Sequence, residues 1–333
     1  FNNDVQKYST GDRDVVQTEV MGTPDGGAGM LSTYLDTATG YPVVKSNSNS
    51  LSRLFDSTQE TEVNHLFLQN IYNESGYFEY DSTQNFAHLN PDGTFTVYDQ
   101  LGAITGDAEH KNTREHGQFM PYNDISPDKG YAYDKDGHII TNQTDVLAHE
   151  LPDTNARKGE NLYLIGNNKK GMADTTGDGV DYFFGMELEA SFTQTANGLD
   201  AWGHDIIFEF SGDDDFWLYV DGQLVLDLGG VHSAQVGSVN FRTGLITSSN
   251  GNSTLYNTFK NNYKDQHAEA TDEEVNQYLD GIFERNEEGN YVFKDYTKHT
   301  MRMFYMERGA GASNLHMRFN LAAVKPGTVV LSK

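Results

Sequence analysis

Residues 206–230 read as strands separated by turns. Ile206 to Phe210 sets Glu209 between apolar neighbours, the period-two pattern of a strand with one face on a core. Ser211-Gly212-Asp213-Asp214-Asp215 breaks the run. Phe216 to Val220 is apolar at every position, which predicts a strand buried on both faces. Asp221-Gly222 supplies the positive φ angles of a type I′ hairpin turn. Gln223 to Leu228 then returns as the next strand, and Gly229-Gly230 ends it.

Elsewhere the same patterning predicts strands at Tyr77–Tyr80, Thr94–Tyr98, Leu162–Gly166, Tyr182–Thr195, Thr300–Met306 and Asn314–Val324, and a hairpin over Ser238–Ile246. Asn90-Pro91-Asp92-Gly93 and Asp134-Lys135-Asp136-Gly137 are turns, and 99–118 and 142–160 are polar surface loops. Residues 1–50, rich in Gly, Thr, Ser and Asn, read as ordered loop with short strands: a turn at Thr23–Gly27 and a strand opening at Val43-Val44. Leu51, Leu54, Phe55, Val63, Leu66 and Phe67 have partly helical spacing, so a short helix is expected within 51–73. Two further helices are expected at about 253–264 and 271–285. Thr271-Asp272-Glu273-Glu274 is a capping box, and Val275, Tyr278, Leu279, Ile282 and Phe283 follow at helical spacing.

Composition narrows the partners. The 333 residues carry a net charge of -26, which argues against nucleic acid and anionic membrane, both of which need basic patches. The chain has no cysteine and no apolar run of membrane-spanning length. It reads as an excised segment of a secreted protein, without signal peptide or sorting tail. An aromatic content of 12%, with only 7 Pro, suits twisted β-sheet.

The chemistry concentrates in the acidic turn. Successive carboxylates repel one another, and beside an apolar strand they also lose solvation. Two readings stand: a site for a hard cation, Ca²⁺ before Mg²⁺, or a solvated Asp-rich hairpin loop. Asp174 to Asp181 has oxygen groups at alternate positions, like half a calcium loop. The twelfth position from Asp174 is Gly185, so it is not an EF-hand. Catalysis finds little support. One contiguous acidic turn does not supply two acids facing each other across a substrate. Glu187 and Glu189 share one strand face and are expected to meet solvent, and the histidines lack ligand spacing. The chain is read as a non-enzyme.

The run GDDDFWLYVDGQLVLDLGGVH, with Phe304 to Gly309 and Ser313-Asn314-Leu315, resembles the fibro-slime domain of the PA14-like group, found in surface proteins of Gram-positive bacteria and slime-mould matrix proteins. The resemblance is clearest over 180–322. It implies a mainly β fold, a PA14-like antiparallel β-sandwich with inserted helices and long loops. On this reading 1–322 is one elaborated domain with a helical insertion at about 253–285, and 323–333 links to a following domain. PA14-like relatives that bind sugar hold Ca²⁺ with two adjacent aspartates joined by a cis peptide. The matching pair here is Asp213-Asp214.

The metal ligands expected on that basis are Asp213 and Asp214, with Glu307 as third side chain and Asn314 as its rival. Sugar hydroxyls would take open calcium positions, with Asp214, His232, Trp202 and Arg308 as the ligand-binding rim. The plainer roles for the last three are a loop histidine, a packed tryptophan and a paired arginine. Asp215 is read as a turn cap, Asp221 as a hairpin residue, and Asp227 as an ion-pair partner of Arg308 or Arg242. The resulting expectation is a monomeric adhesin module of a larger, cell-wall-anchored surface protein. It would bind a glycan or glycoprotein of a host or neighbouring cell through Ca²⁺, without inserting into membrane. The alternative is a protein-binding or stalk domain in which calcium only rigidifies loops.

Overall fold

The structure is a computed structural model. It describes residues 2–7, 28–46, 48–55, 66–69, 76–82, 84–90, 94–98, 104–105, 119, 121, 124–125, 132–133, 162–165, 184–230, 232–307 and 313–321. The turns expected at Thr23–Gly27, Asn90–Gly93 and Asp134–Gly137, the loop at 142–160, the Asp174–Asp181 loop, Arg308 and the 323–333 linker fall wholly or largely outside these residues.

The chain is mainly β. In order, the strands are β1 (Asn2–Lys7), β2 (Leu68–Gln69), β3 (Phe78–Asp81), β4 (Phe86–Leu89), β5 (Phe95–Tyr98), β6 (Ile104–Thr105), β7 (Asp124–Ile125), β8 (Ala132–Tyr133), β9 (Leu162–Ile165) and β10 (Phe184–Thr193). They continue as β11 (Ile207–Gly212), β12 (Asp215–Val220), β13 (Gln223–Gly229), β14 (Gln235–Asn240), β15 (Leu245–Ser248), β16 (Ser253–Thr254), β17 (Phe283–Arg285), β18 (Tyr291–Phe293), β19 (Lys298–Glu307) and β20 (Leu315–Phe319). The helices are α1 (Ser52–Phe55), α2 (Leu255–Gln266) and α3 (Asp272–Ile282).

Two antiparallel sheets form a sandwich. One has the order β1-β10-β19-β12-β13, the other β16-β15-β14-β11-β20-β3-β2. Inward positions alternate along each strand: Met186, Leu188, Met303, Tyr305, Phe216 and Leu218 from the first sheet meet Phe208, Phe210, Val239, Met317 and Phe319 from the second. Phe210 stacks on Phe216 across the layers, with ring centroids 3.7 Å apart. Small three-stranded sheets, β4-β5-β8 and β6-β9-β7, lie outside the two main ones.

The outer face of the first sheet is also covered, which explains why β12 is apolar at every position. Trp217 and Tyr219 point away from the sandwich interior, yet neither is exposed. Their face is covered by residues from the 28–55 segment: Phe55 packs edge-on against Phe304, and Tyr219 donates its hydroxyl to the Ser32 carbonyl at 3.2 Å. Glu187 and Glu189 lie on this covered face as well, contrary to the expectation that they meet solvent. Arg302 donates to Glu187, lies 3.3 Å from Glu189 and bonds the Gly40 carbonyl. Strand periodicity gives the face a side chain shares, not what lies over that face.

The helices are an insertion, as expected, with bounds shifted by a few residues at some ends. Thr271 and Glu274 cap α3 reciprocally, and Val275, Leu279, Leu255 and Phe259 pack with Phe283 and Phe293. Asn262 of α2 donates to the Leu224 carbonyl at 2.9 Å, closing one edge of the first sheet. The helix expected within 51–73 is only α1, and Leu68–Gln69 is strand. Val43 and Val44 form single β-bridges, to Ser50 and Leu31. Among the described residues no helix is long and apolar enough to cross a membrane.

Candidate functional site

The site lies where the chain twice changes sheet. β11 belongs to the second sheet and β12 to the first, so Asp213-Asp214 is the corner between them. β19 belongs to the first sheet and β20 to the second, so the chain crosses again between Glu307 and Leu315. Because β12 pairs with β19 and β11 with β20, the two corners are neighbours: Asp215 is opposite Met306, and Gly212 is opposite Leu315. Register thus brings Asp213, Asp214, Glu307 and Asn314 together, as the sequence reading expected.

The carboxyl groups are interior. Asp213 is 5%, Asp214 2% and Glu307 0% exposed, which excludes the solvated-loop reading of the turn. Asp213 accepts from the Asn314 backbone amide and, at 3.2 Å, from its side-chain amide. Burial pushes Asp213 up to about 6, against these hydrogen bonds, and the charge of Asp214 adds to the rise. Burial also lifts Glu307 well above the ordinary range, helped by the charges of Asp214 and Asp213 and by a hydrogen bond between the Glu307 and Asp214 carboxyls. Gly212 permits the close approach of the second corner: a Cβ there would stand 2.6 Å from the Asn314 carbonyl oxygen.

Several expectations change here. Among the described residues every peptide bond is trans, so the cis link implied by the resemblance is not seen; Asp214 instead turns the corner with φ 64°. Asp215 is not a turn cap but the first residue of β12, fully buried. Asp221 does turn its hairpin, with φ 50°, but it also accepts from Thr300 N at 2.9 Å and lies 2.6 Å from His299 Nδ1. Asp227 does not pair with Arg242, which binds Asp205 and Glu288. Instead Asp227 accepts the backbone amides of Gly29 at 2.7 Å and Gly229 at 2.9 Å, anchoring the covering segment.

The expected rim divides. His232 follows β13, whose Gly229 is opposite Phe216, so it lies at the same end as the acidic corner. Its Nδ1 is 2.9 Å from the Ser233 carbonyl. Trp202 precedes β11 and lies at the other end, roughly 17 Å away along the strand, so it is no part of this rim. Tyr305 and Ser313 were missed. Tyr305 donates to Glu307 Oε2 at 3.2 Å, and Ser313 donates to the Phe119 carbonyl at 2.6 Å. The available signal was spacing: Tyr305 stands two residues before Glu307 and shares its strand face.

Carboxylate and amide oxygens are the donors a hard cation takes. Among the described residues, however, no group of three or more His, Cys, Asp and Glu side chains is spaced as a metal-ligand set. In the arrangement seen, the Glu307 and Asp214 carboxyls are hydrogen-bonded to each other. An ion held by these residues would replace that hydrogen bond.

No family model matches the chain, and no solved structure matches it. Similarity is found to proteins of Dictyostelium discoideum. The chain is 34% identical to protein psiP over 96 residues, covering 28% of this chain and 11% of psiP. It is 38% identical to protein psiI over 69 residues, 20% of this chain and 8% of psiI. With protein psiG the identity is 58% over 33 residues, 10% of this chain and 5% of psiG. The chain therefore spans about a tenth or less of the length of these relatives.

Proposed function

We propose that this chain is a surface adhesion module that binds glycan through a Ca²⁺ ion held by Asp213, Asp214, Glu307 and Asn314. The observation that supports this reading is the meeting of two inter-sheet corners. They bring three interior carboxyl groups and an amide together from sequence positions far apart. Carboxylates removed from water and pressed together raise one another's pKa, and a divalent cation relieves that cost. The sequence resemblance to the fibro-slime group supports the same reading, including a position on a cell surface. When bound, the ion would offer open positions to neighbouring sugar hydroxyls, and His232 stands at that end of the sandwich.

A second reading has its own observation. Asp214 and Glu307 are almost wholly buried, which favours an internal ion that only ties the two corners together, leaving recognition to other surfaces. Calorimetric calcium titration followed by glycan-array binding separates the two. Glycan binding abolished by chelator and by Asp214→Ala, with the fold retained, supports the first. Calcium-dependent melting without calcium-dependent glycan binding supports the second. Absence of any calcium binding removes both.

A further inference from the structure

The end of the sandwich opposite the acidic corner holds a buried polar relay. His299 of β19 is only 5% exposed. Its Nδ1 is 2.6 Å from Asp221 Oδ2, and its Nε2 is 2.7 Å from Thr297 Oγ1. A carboxylate only accepts, so Nδ1 carries the proton, and in the neutral ring Nε2 is left to accept from the Thr297 hydroxyl. The Lys294 carbonyl, 2.6 Å from the same Oγ1, is that hydroxyl's other acceptor. Asp221 is itself held by the Thr300 amide, which donates to its Oδ1 at 2.9 Å.

A side-chain amide stands opposite this relay. β10 and β19 are antiparallel, with Phe192 opposite His299 and Thr193 opposite Lys298, so the next residues to meet are Gln194 and Thr297. The backbone bonds agree: the Gln194 amide donates to the Thr297 carbonyl at 2.9 Å, and the Tyr296 amide donates to the Gln194 carbonyl at 2.8 Å. This is a β-bulge in which Tyr296, at φ 64°, takes the left-handed position that glycine usually fills. Gln194 lies on the same inward face as Phe192 and His299, whose rings are 5.5 Å apart. Its Nε2 donates at 3.1 Å to the carbonyl of Phe241, a residue whose ring is 4.8 Å from that of Phe192. Gln194 is fully buried, yet its Oε1 has no hydrogen-bond partner among the described residues. Buried polar atoms are seldom left unpaired, and one that is calls for an explanation.

We infer that Thr297 and Gln194 become joined by a side-chain ester, with His299 as general base and Asp221 as its positioning residue. Residues directly opposite in antiparallel strands have Cβ atoms about 4.5–5.5 Å apart, and the Cβ–Cγ–Cδ–Oγ1–Cβ path of an ester spans such a gap. Thr297 Oγ1 attacks Gln194 Cδ while His299 Nε2 takes the hydroxyl proton. The Cδ–Nε2 bond of Gln194 then breaks, His299 returns the proton to the departing nitrogen, and ammonia leaves. One amide and one hydroxyl become one ester and one ammonia, with no oxidant or reductant. Burial of Gln194 and His299 keeps water from competing with Thr297 and from hydrolysing the product. The bond would close β11 to β18 and both inserted helices into one covalent loop, in a chain that has no cysteine to do so. It uses no residue of the acidic corner and does not rest on the calcium reading.

The test is the intact mass of the whole chain under denaturing conditions, followed by tandem mass spectrometry of its peptides. The expected result is a mass one ammonia below that of the sequence. The peptides carrying residues 194 and 297 should be recovered as one linked species that mild alkali separates. Thr297→Val and Gln194→Met should each return the full mass, whereas Thr297→Ser should keep the deficit. Asp221→Asn can keep the Thr300 bond but offers a donor to Nδ1, which puts the ring proton on Nε2. The crosslinked fraction of that variant, freshly purified, should fall roughly tenfold or more. Full sequence mass in the natural protein overturns the inference, whether or not the variants fold. So does a deficit that maps elsewhere, such as a succinimide at Asn197-Gly198 or Asn250-Gly251. Undiminished crosslinking in Asp221→Asn overturns it too.

Discussion

Glu307 and Asp214 come from different inter-sheet corners, yet their carboxyl groups hydrogen-bond to one another in the interior. Burial, with the charges of Asp214 and Asp213, holds the Glu307 carboxyl well above the ordinary range, so the folded protein keeps the Glu307 proton more tightly than the unfolded chain. A carboxyl raised in this way favours folding below its unfolded pKa, and the contribution is lost as pH rises through its folded value. Glu307→Gln keeps a hydrogen-bond donor and never ionises. Without metal, the variant should match the natural protein at pH 4.5 and exceed it in urea stability at pH 7.5. Calcium should narrow that gap by stabilising only the natural protein. Equal stability of the two proteins at both pH values would refute the linkage.

Arg302 ties two glutamates and the covering segment to the first sheet. Arg302 and Glu187 side chains are only 16% and 11% exposed, so removing one partner strands a mostly buried charge. Arg302→Ala should cost about 3 kcal/mol in urea unfolding. Arg302→Met combined with Glu187→Met should recover most of that loss, because no charge is then left behind.

Gly212→Ala tests the approach of the two corners. The added methyl would meet the Asn314 carbonyl oxygen, which is backbone and cannot swing aside. A loss of about 2 kcal/mol is expected. Calcium affinity, measured by titration calorimetry, should fall in parallel, since Asn314 is one of the proposed donors.

Thr271→Ala removes one half of the capping box on α3, the Glu274 amide donating to the Thr271 hydroxyl at 3.3 Å, and leaves the other, Glu274 Oε2 accepting from the backbone amide of residue 271 at 2.8 Å. The expected cost is about 1 kcal/mol by thermal unfolding. Calcium binding should not change, because the helix contributes no residue to the acidic corner.

Much of this architecture was legible in the chain. The alternation through Phe210, the uninterrupted apolar run from Phe216 and the Asp221-Gly222 turn each carry their own local physics, and all three appear as expected. Glu307 and Asn314 were also reached, since strand ends flanking one loop must lie near the strands they pair with. What escaped depends on distant chain. Nothing near Glu187 says that Tyr41 and Gly40 will fold over it. Nothing near Trp202 says at which end of the sandwich its loop emerges; that is set by the pairing of β11 with β14 and β20. Asp227 looked like an ion-pair partner because the amide of Gly29, which it receives instead, has no signature in sequence.

The cover laid by residues 28–55 over Trp217, Tyr219 and Phe304 has a practical corollary for anyone producing this protein. A gene trimmed to the stretch of strongest resemblance, 180–322, would leave an oily wall naked on the outside of the five-stranded layer. Such a fragment should clump or stick to surfaces, and any stickiness measured with it would be an artefact of the cut.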